Sequence, residues 1–96
     1  MKTVRGLPPD LKAISIRIAA DLDSNEPEAK ARIAALRDHF LSTEAIFYLE
    51  HAACGMGPRE MQRRWGGRHE KYSTEIYFNL EKAADFYAKM DAENSP

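Results

Sequence analysis

The sequence has a single cysteine, no long apolar run and no phosphate-binding glycine loop, and each absence excludes a class of protein. Because Cys54 is the only cysteine, the chain cannot form an internal disulfide, which fits a reducing compartment such as the cytoplasm. No apolar run approaches the roughly 18 residues that a membrane span needs. Residues 1–12 also lack an apolar stretch with a small-residue cleavage site, so we expect no secretory signal. We therefore expect a soluble, cytoplasmic protein.

Side chains suited to catalysis or metal binding are also sparse. His51 and Cys54 lie three residues apart, but a zinc site needs about four ligands and no second closely spaced pair accompanies them. A nucleophilic Cys54 needs an aligned base, and only the nearby His51 supports that role. We expect Cys54 to be a small, partly buried side chain. The glycine segments GMGPRE and GGRH lack the strand and the lysine–hydroxyl pair of a phosphate-binding loop. The sequence predicts no enzyme, no metal, no cofactor and no small-molecule substrate.

What the chain does contain is a nearly balanced charge that is unevenly distributed. Its 96 residues, 44% apolar and 30% charged, are typical of one globular domain. The 14 basic and 15 acidic residues give a net charge of −1. Residues 55–72 carry five basic and two acidic side chains, whereas residues 73–96 carry two basic and five acidic ones. The net charges of these two segments are therefore +3 and −3, and the chain is polarised near its C-terminal end.

Apolar residues recur three and four positions apart along most of the chain, which predicts a single compact all-α domain of four to five helices. We place an N-terminal arm at residues 1–9, the helical domain at residues 10–91 and a disordered tail at residues 92–96. Pro8-Pro9 can open the first helix, because proline suits a first helical turn. The last helix is predicted to run from near Glu70 to about Met90. The residues predicted to face inward from these two helices are Leu11, Ile14, Ile18, Leu22, Tyr72, Ile76, Leu80, Ala83, Tyr87 and Met90.

Two further helices are predicted in the first half of the chain. Asn25 is a candidate N-cap of the second helix. Ser42 or Thr43 can cap the third, which ends at the glycines after Cys54. Because only the two hydroxyl residues interrupt the apolar pattern, a single helix over residues 27–53 is an alternative. The inward-facing residues predicted here are Ala29, Ile33, Leu36, Phe40, Ile46, Leu49 and Ala53.

The C-terminal half contains a short helix, a glycine turn and a long helix, which is the layout of a helix-turn-helix. Pro58 opens the short helix, and Met61 and Trp65 occupy positions at which such a helix buries apolar residues. Gly66 takes the turn position that needs a positive φ. Residues 57–80 thus resemble the helix-turn-helix segments of bacterial repressors.

Two positions of this segment differ from the repressor pattern. Gln62 stands where a small residue usually lets the helices approach, and Gly67 stands where the turn usually carries an apolar side chain. The resemblance implies a small DNA-binding transcriptional regulator of bacterial or phage type, which we expect to be a homodimer.

The start of the second helix would face DNA in such a regulator. Arginine can pair two donors with a guanine edge, and lysine acts as a point charge on phosphate. The same arginines can also be the solvent-exposed face of an ordinary amphipathic helix, and Glu60, Glu70 and Glu75 dilute their charge. The candidate DNA-binding residues are Arg59, Arg63, Arg64, Arg68, His69, Lys71, Ser73 and Thr74.

The aromatic residues support a second hypothesis, because they exceed what one inward stripe can hold. They either pack inside a domain whose last helix is central, or contact a partner. A partner surface would make the protein a non-catalytic helical interaction module, such as a phage-type inhibitor or adaptor, that binds a protein through aromatic and arginine side chains. The candidate partner-interface residues are Phe47, Tyr48, Tyr77, Phe78 and Phe86.

Overall fold

One long C-terminal helix runs through the molecule, and four shorter helices pack against it. The computed structural model of the protein describes residues 3–40 and 42–94, and all regular secondary structure within them is helical. The helices are α1 (Pro9–Asp23), α2 (Pro27–His39), α3 (Thr43–Ala53), α4 (Pro58–Trp65) and α5 (His69–Asn94). At 1.5 Å per residue, the 26 residues of α5 span about 39 Å. This length accounts for most of the 45 Å long axis of the molecule. The predicted all-α fold is confirmed.

The core is built from the inward stripes of all five helices. Ile18, Leu49, Met61 and Leu80 are at most 1% exposed, and burying a side chain of this size stabilises a fold by about 1.5–3 kcal/mol. The inward-facing residues predicted for α1, α2, α3 and α5 are all buried or pack against this core. The half-buried ones are Ile14, Leu22, Ile46 and Met90. None of the helices in the described part of the chain has the length and hydropathy needed to cross a membrane.

The segment between α2 and α3 breaks the single helix that was an alternative for residues 27–53. Phe40 follows α2 with an extended ψ of 132°. Ser42 then caps α3, because its Oγ accepts a hydrogen bond from the backbone N–H of Ala45 at 3.3 Å. Two separate helices are therefore present, and of the two predicted caps the structure selects Ser42.

The predicted N-cap of α2 was wrong. Glu26, not Asn25, is the N-cap residue, and it forms no side-chain capping bond. Pro27 occupies the first helical position, and a residue before proline is driven out of the helical region of φ and ψ. The residue before Pro27 therefore becomes the cap, whatever its side chain. Ser24 Oγ accepts from the backbone N–H of Glu26 at 3.1 Å instead.

Both predicted terminal segments are partly built into the fold. Val4, in the segment assigned to an arm, is 7% exposed and belongs to the core. At the other end α5 continues to Asn94, so residues 92–94 of the predicted tail are helical. Residues 1–2 and 95–96 lie outside the described residues.

A buried carboxylate joins α1, α2 and α5. Asp21 is 7% exposed and accepts two hydrogen bonds from the Arg32 guanidinium, at 2.8 and 2.9 Å. This guanidinium holds the pKa of Asp21 below its usual value. The Tyr87 hydroxyl also donates to Asp21, at 3.4 Å, and burial together with the carboxylate raises the pKa of Tyr87 to about 12. Asp21 thereby ties three helices together.

Candidate nucleic-acid interface

The turn between α4 and α5 is made by two glycines with positive φ. Gly66 has φ 77° and ψ −173°, a combination that is essentially restricted to glycine, and Gly67 has φ 83°. The Tyr72 hydroxyl donates to the Gly66 carbonyl at 2.6 Å, and Gln62 Nε2 donates to the Gly67 carbonyl at 3.0 Å. The predicted positive φ at Gly66 is confirmed. Gln62, which differs from the repressor pattern, thus stabilises the turn through its side-chain amide.

Two apolar residues of the short helix were predicted to be buried, and only one of them is. Met61 is 0% exposed, but Trp65 is 40% exposed. Trp65 is the last residue of α4, and its ring lies on the surface against Phe47 of α3 and Tyr72 of α5, at centroid distances of 4.8 and 6.2 Å. Trp65 therefore packs on the surface at the end of α4 and does not enter the core.

Two residues predicted for a partner surface lie within the fold. Tyr48 is 7% exposed, and its hydroxyl donates to Glu44 at 2.8 Å. Phe86 is half-buried against the core, and its ring lies 5.4 Å from that of His39. Some of the aromatic residues outside the inward stripes of α3 and α5 are thus covered by contacts within the fold. The apolar pattern of a single helix does not reveal these contacts.

The remaining three residues of that predicted surface are exposed, at two separate places. Phe47, 41% exposed, forms an aromatic cluster with His51 and Trp65, with ring centroids 4.1 to 5.4 Å apart. Tyr77 and Phe78 lie on the outer face of α5 and are 40% and 54% exposed. The molecule therefore presents one aromatic surface at the end of α4 and another along α5.

The basic residues of α4 line a groove together with a residue from the N-terminal segment. The groove has a volume of about 650 Å³ and lies between residues 3–5 and the start of α4. We call it the arginine groove and define it by its cationic and titratable basic residues, Arg5, Arg59, Arg63 and His69. Among its lining residues only Glu60 is acidic.

Arg5 was not among the predicted DNA-binding residues, because residues 1–9 were predicted to form an arm. Burial of the adjacent Val4 in the core brings Arg5 to the groove. The only signal in the sequence is an apolar residue beside a basic one ahead of Pro8-Pro9. That signal is too short to show periodicity.

Among the residues that the structure describes, the guanidinium groups of the groove have no carboxylate partner. In the described ranges, Arg5, Arg59, Arg63 and also Arg68 at the turn form no salt bridge. Gly57, the N-cap residue of α4, provides no side-chain acceptor, so backbone N–H groups of the first turn are also left without one. A helix start in this state favours an anion.

The other predicted DNA-binding residues have different surroundings. Acidic groups lie near three of them: Arg64 is 3.8 Å from Glu60, His69 is 3.6 Å from Glu70, and Lys71 is 3.6 Å from Glu44. Ser73 and Thr74 are exposed, but they lie beside Tyr77, Phe78 and Glu81 on α5 rather than in the arginine groove. Of the eight predicted residues, Arg59, Arg63 and His69 line the arginine groove.

Cys54 is exposed, contrary to the expectation of partial burial. It is the C-cap residue of α3, where the helix reaches the surface before Gly55 turns the chain with φ 94°. His51 Nδ1 lies 2.7 Å from the Phe47 carbonyl oxygen. Across the described residues, no three His, Cys, Asp or Glu side chains are grouped as a metal site requires.

Comparisons of the chain with protein-family models, with curated proteins and with solved structures found no match.

Proposed function

We propose that this protein binds DNA through the arginine groove and acts as a small transcriptional regulator. The observation that carries the proposal is the convergence of Arg5, Arg59 and Arg63 on one groove, with no salt-bridge partner among the described residues. Like charges in one groove repel each other, so the arrangement costs stability unless an anion occupies it. Phosphate suits the groove because a guanidinium can donate two parallel hydrogen bonds to it.

The bend between α4 and α5 lies beside the groove, because His69 at the start of α5 lines it. Arg68 lies at the turn, immediately before α5. A duplex whose backbone lies in the groove would meet Arg68 next, so that groove contacts position the DNA while the start of α5 approaches base edges. Lys71, which is 3.6 Å from Glu44, is not among these contacts. Glu70, also exposed at the start of α5, would oppose close approach of phosphate there. We therefore assign most of the affinity to the groove.

The test is the salt dependence of binding to a random duplex, measured by fluorescence anisotropy. About four phosphate contacts should make the affinity fall on the order of 100-fold between 50 and 200 mM salt. The variant Arg59→Ala/Arg63→Ala should weaken binding at least about tenfold and reduce the slope of log K against log salt by roughly two.

A matched control removes the same charge elsewhere. Lys12 on α1 and Lys30 on α2 are exposed, so Lys12→Ala/Lys30→Ala should leave the affinity nearly unchanged. If the wild-type protein fails to bind duplex DNA at low salt, or if both double variants lose affinity equally, the proposal is wrong.

The aromatic cluster supports a second candidate, a non-catalytic module that binds another protein. The exposed rings of Phe47 and Trp65 lie 4.8 Å apart, and Arg64 precedes Trp65 in the sequence. Tryptophan and arginine are enriched among residues that dominate binding energy at interfaces. In affinity capture, Phe47→Ala/Trp65→Ala should then release a protein that Arg59→Ala/Arg63→Ala retains. The opposite dependence would exclude this candidate.

A further inference from the structure

The outer face of α5 carries the most exposed large apolar side chain in the described part of the chain, Phe78, with Tyr77 beside it. The inward stripe of the same helix already supplies the core, through residues such as Ile76 and Leu80. Ser73, Thr74 and Glu81 border the aromatic pair in a shallow depression. Phe78 is therefore an apolar centre with a polar rim, which is the layout of a small interface.

Charged residues flank Phe78 on both sides along this face, and the nearest are Glu75 and Glu81, three residues away in each direction. Lys71 lies seven residues before Phe78 and Asp85 seven residues after it, and both are exposed. Seven residues are two helical turns, so the three side chains share a face, and each charge lies about 10 Å along the helix from Phe78. Thr74 and Lys82 lie four residues before and after Phe78, and Lys82 Nζ covers the ring at 4.8 Å.

We propose that this face binds a second copy of the chain, with the two α5 helices antiparallel and related by a two-fold axis near Phe78. The two-fold axis would place Phe78 against Phe78 of the second copy, and Lys71 against its Asp85. A parallel pairing would instead set Lys71 against Lys71 and Asp85 against Asp85. The antiparallel pair also sets Glu75 against Glu81 of the second copy, with Lys82 of that copy beside them. A parallel pair sets every charge of this face against the same charge, so the antiparallel pair, in which one surface patch meets itself, is favoured.

The local ion pair of Lys71 is compatible with this arrangement. Lys71 is 3.6 Å from Glu44 of its own chain, but the side chains remain 57% and 62% exposed. The Lys71 ammonium has three donors and can reach a second carboxylate. Ser73 and Thr74 would lie at the rim of the dimer, whereas the arginine groove on α4 would stay open in both copies. The dimer does not depend on the proposed DNA binding.

Sedimentation equilibrium at about 100 μM protein tests the proposal. The wild-type chain of 10.9 kDa should sediment with about twice that mass. Phe78→Asp should give the monomer, because it places two carboxylates at the centre of the interface. Ile16→Asp, which changes another exposed apolar residue on α1, should leave the dimer intact. Circular dichroism confirms that each variant is folded.

Charge reversal tests the antiparallel pairing itself. Lys71→Glu and Asp85→Lys should each weaken the dimer about tenfold, because each disrupts two symmetry-related ion pairs. The double variant should return to within about threefold of the wild-type dissociation constant. Glu44 is the same in all of these variants. It therefore cannot explain why adding Asp85→Lys to Lys71→Glu restores the dimer affinity.

Three results would overturn the proposal: a wild-type monomer at this concentration, a dimer that survives Phe78→Asp, or a double variant weaker than either single one. Each of these leaves the DNA-binding proposal standing, because that proposal is measured by duplex affinity and salt dependence.

Discussion

The arginines of the first two helices and those of the arginine groove have opposite surroundings. Arg17 forms two hydrogen bonds of 2.8 Å with Asp91 and lies 4.2 Å from the centre of the Tyr87 ring. Arg32 is bound to Asp21, and Arg37 pairs with Glu50 at 2.7 Å. Each of these three bridges links two different helices. In the ranges that the structure describes, the arginines that enter the groove from the N-terminal segment and α4 form no such bridge.

Arginine therefore has two different roles in this molecule. In the α1–α2 region, guanidinium groups contribute to the fold by joining helices. Around α4, the fold is held by the buried Met61 and by the hydrogen bonds of Tyr72 and Gln62 to the turn, so Arg59 and Arg63 remain available to bind something else. A count of basic residues in the sequence does not distinguish these cases. The following experiments test the distinction, beginning with the largest expected effect.

The most direct test makes the same substitution in both regions. Arg32→Met should lower the free energy of unfolding by about 3 kcal/mol, because it leaves the Asp21 carboxylate buried without its partner. Arg63→Met should change it by no more than about 0.5 kcal/mol, as is usual for an exposed site. Urea denaturation measures both. Equal losses would remove the distinction between structural and free arginines.

Gly66→Ala tests whether backbone geometry holds the α4–α5 junction. A Cβ at Gly66 would meet no atom within 4 Å, so any loss of stability must come from the backbone. With φ 77° and ψ −173°, we expect a cost of about 2 kcal/mol. Thermal and urea unfolding should agree on this value. A neutral substitution would show that the turn relaxes freely, and that the direction of α5 is not fixed by Gly66.

Tyr72→Phe removes the hydroxyl that holds the same turn. The lost hydrogen bond to the Gly66 carbonyl should cost about 1 kcal/mol. Tyr77→Phe is the matched control, since Tyr77 lies on the exposed face of the same helix and its hydroxyl has no hydrogen-bond partner in the described structure. The control should lie within about 0.5 kcal/mol of wild type. Comparable losses in the two variants would contradict a specific role for Tyr72.

The smallest effect is expected from mild acid. The Arg32 guanidinium lowers the pKa of Asp21 in the folded state, so its contribution is complete above the unfolded value of about 4. That contribution should stay constant from pH 7 to 5 and be lost as the pH falls through the folded pKa. The stability difference between wild type and Arg32→Met should then shrink in acid. A difference that stays constant to pH 2 would show that Asp21 is not the partner that matters.

The helices were predictable because their determinants are local. Apolar spacing of three and four residues marked the inward stripe of each helix, and Pro58 and Gly66 marked the start of α4 and its end. The error at Asn25 was also local in origin, since Pro27 assigns the capping position by its effect on the preceding residue. Helical spacing showed only that the aromatic residues exceed one inward stripe, and it left open whether Phe47, Tyr77 and Phe78 are covered.

The candidate site was predictable only in part. The sequence alone placed Arg59, Arg63 and Arg68 around a glycine bend. Only the tertiary structure brought Arg5 to the groove and moved Tyr48 into the core. Only the tertiary structure showed that Ser73 and Thr74 border the depression at Phe78 and do not line the arginine groove.

The physical reason is the range of the interactions. Helix periodicity, proline placement and glycine φ depend on neighbours within a few residues, and the sequence by itself determined these. Which arginines meet a carboxylate, and which aromatic rings are covered, depends on residues far apart in the chain. Arg17 and Asp91, for example, are 74 positions apart. Those pairings exist only once the five helices have packed, so the tertiary structure alone decided which charges remain free.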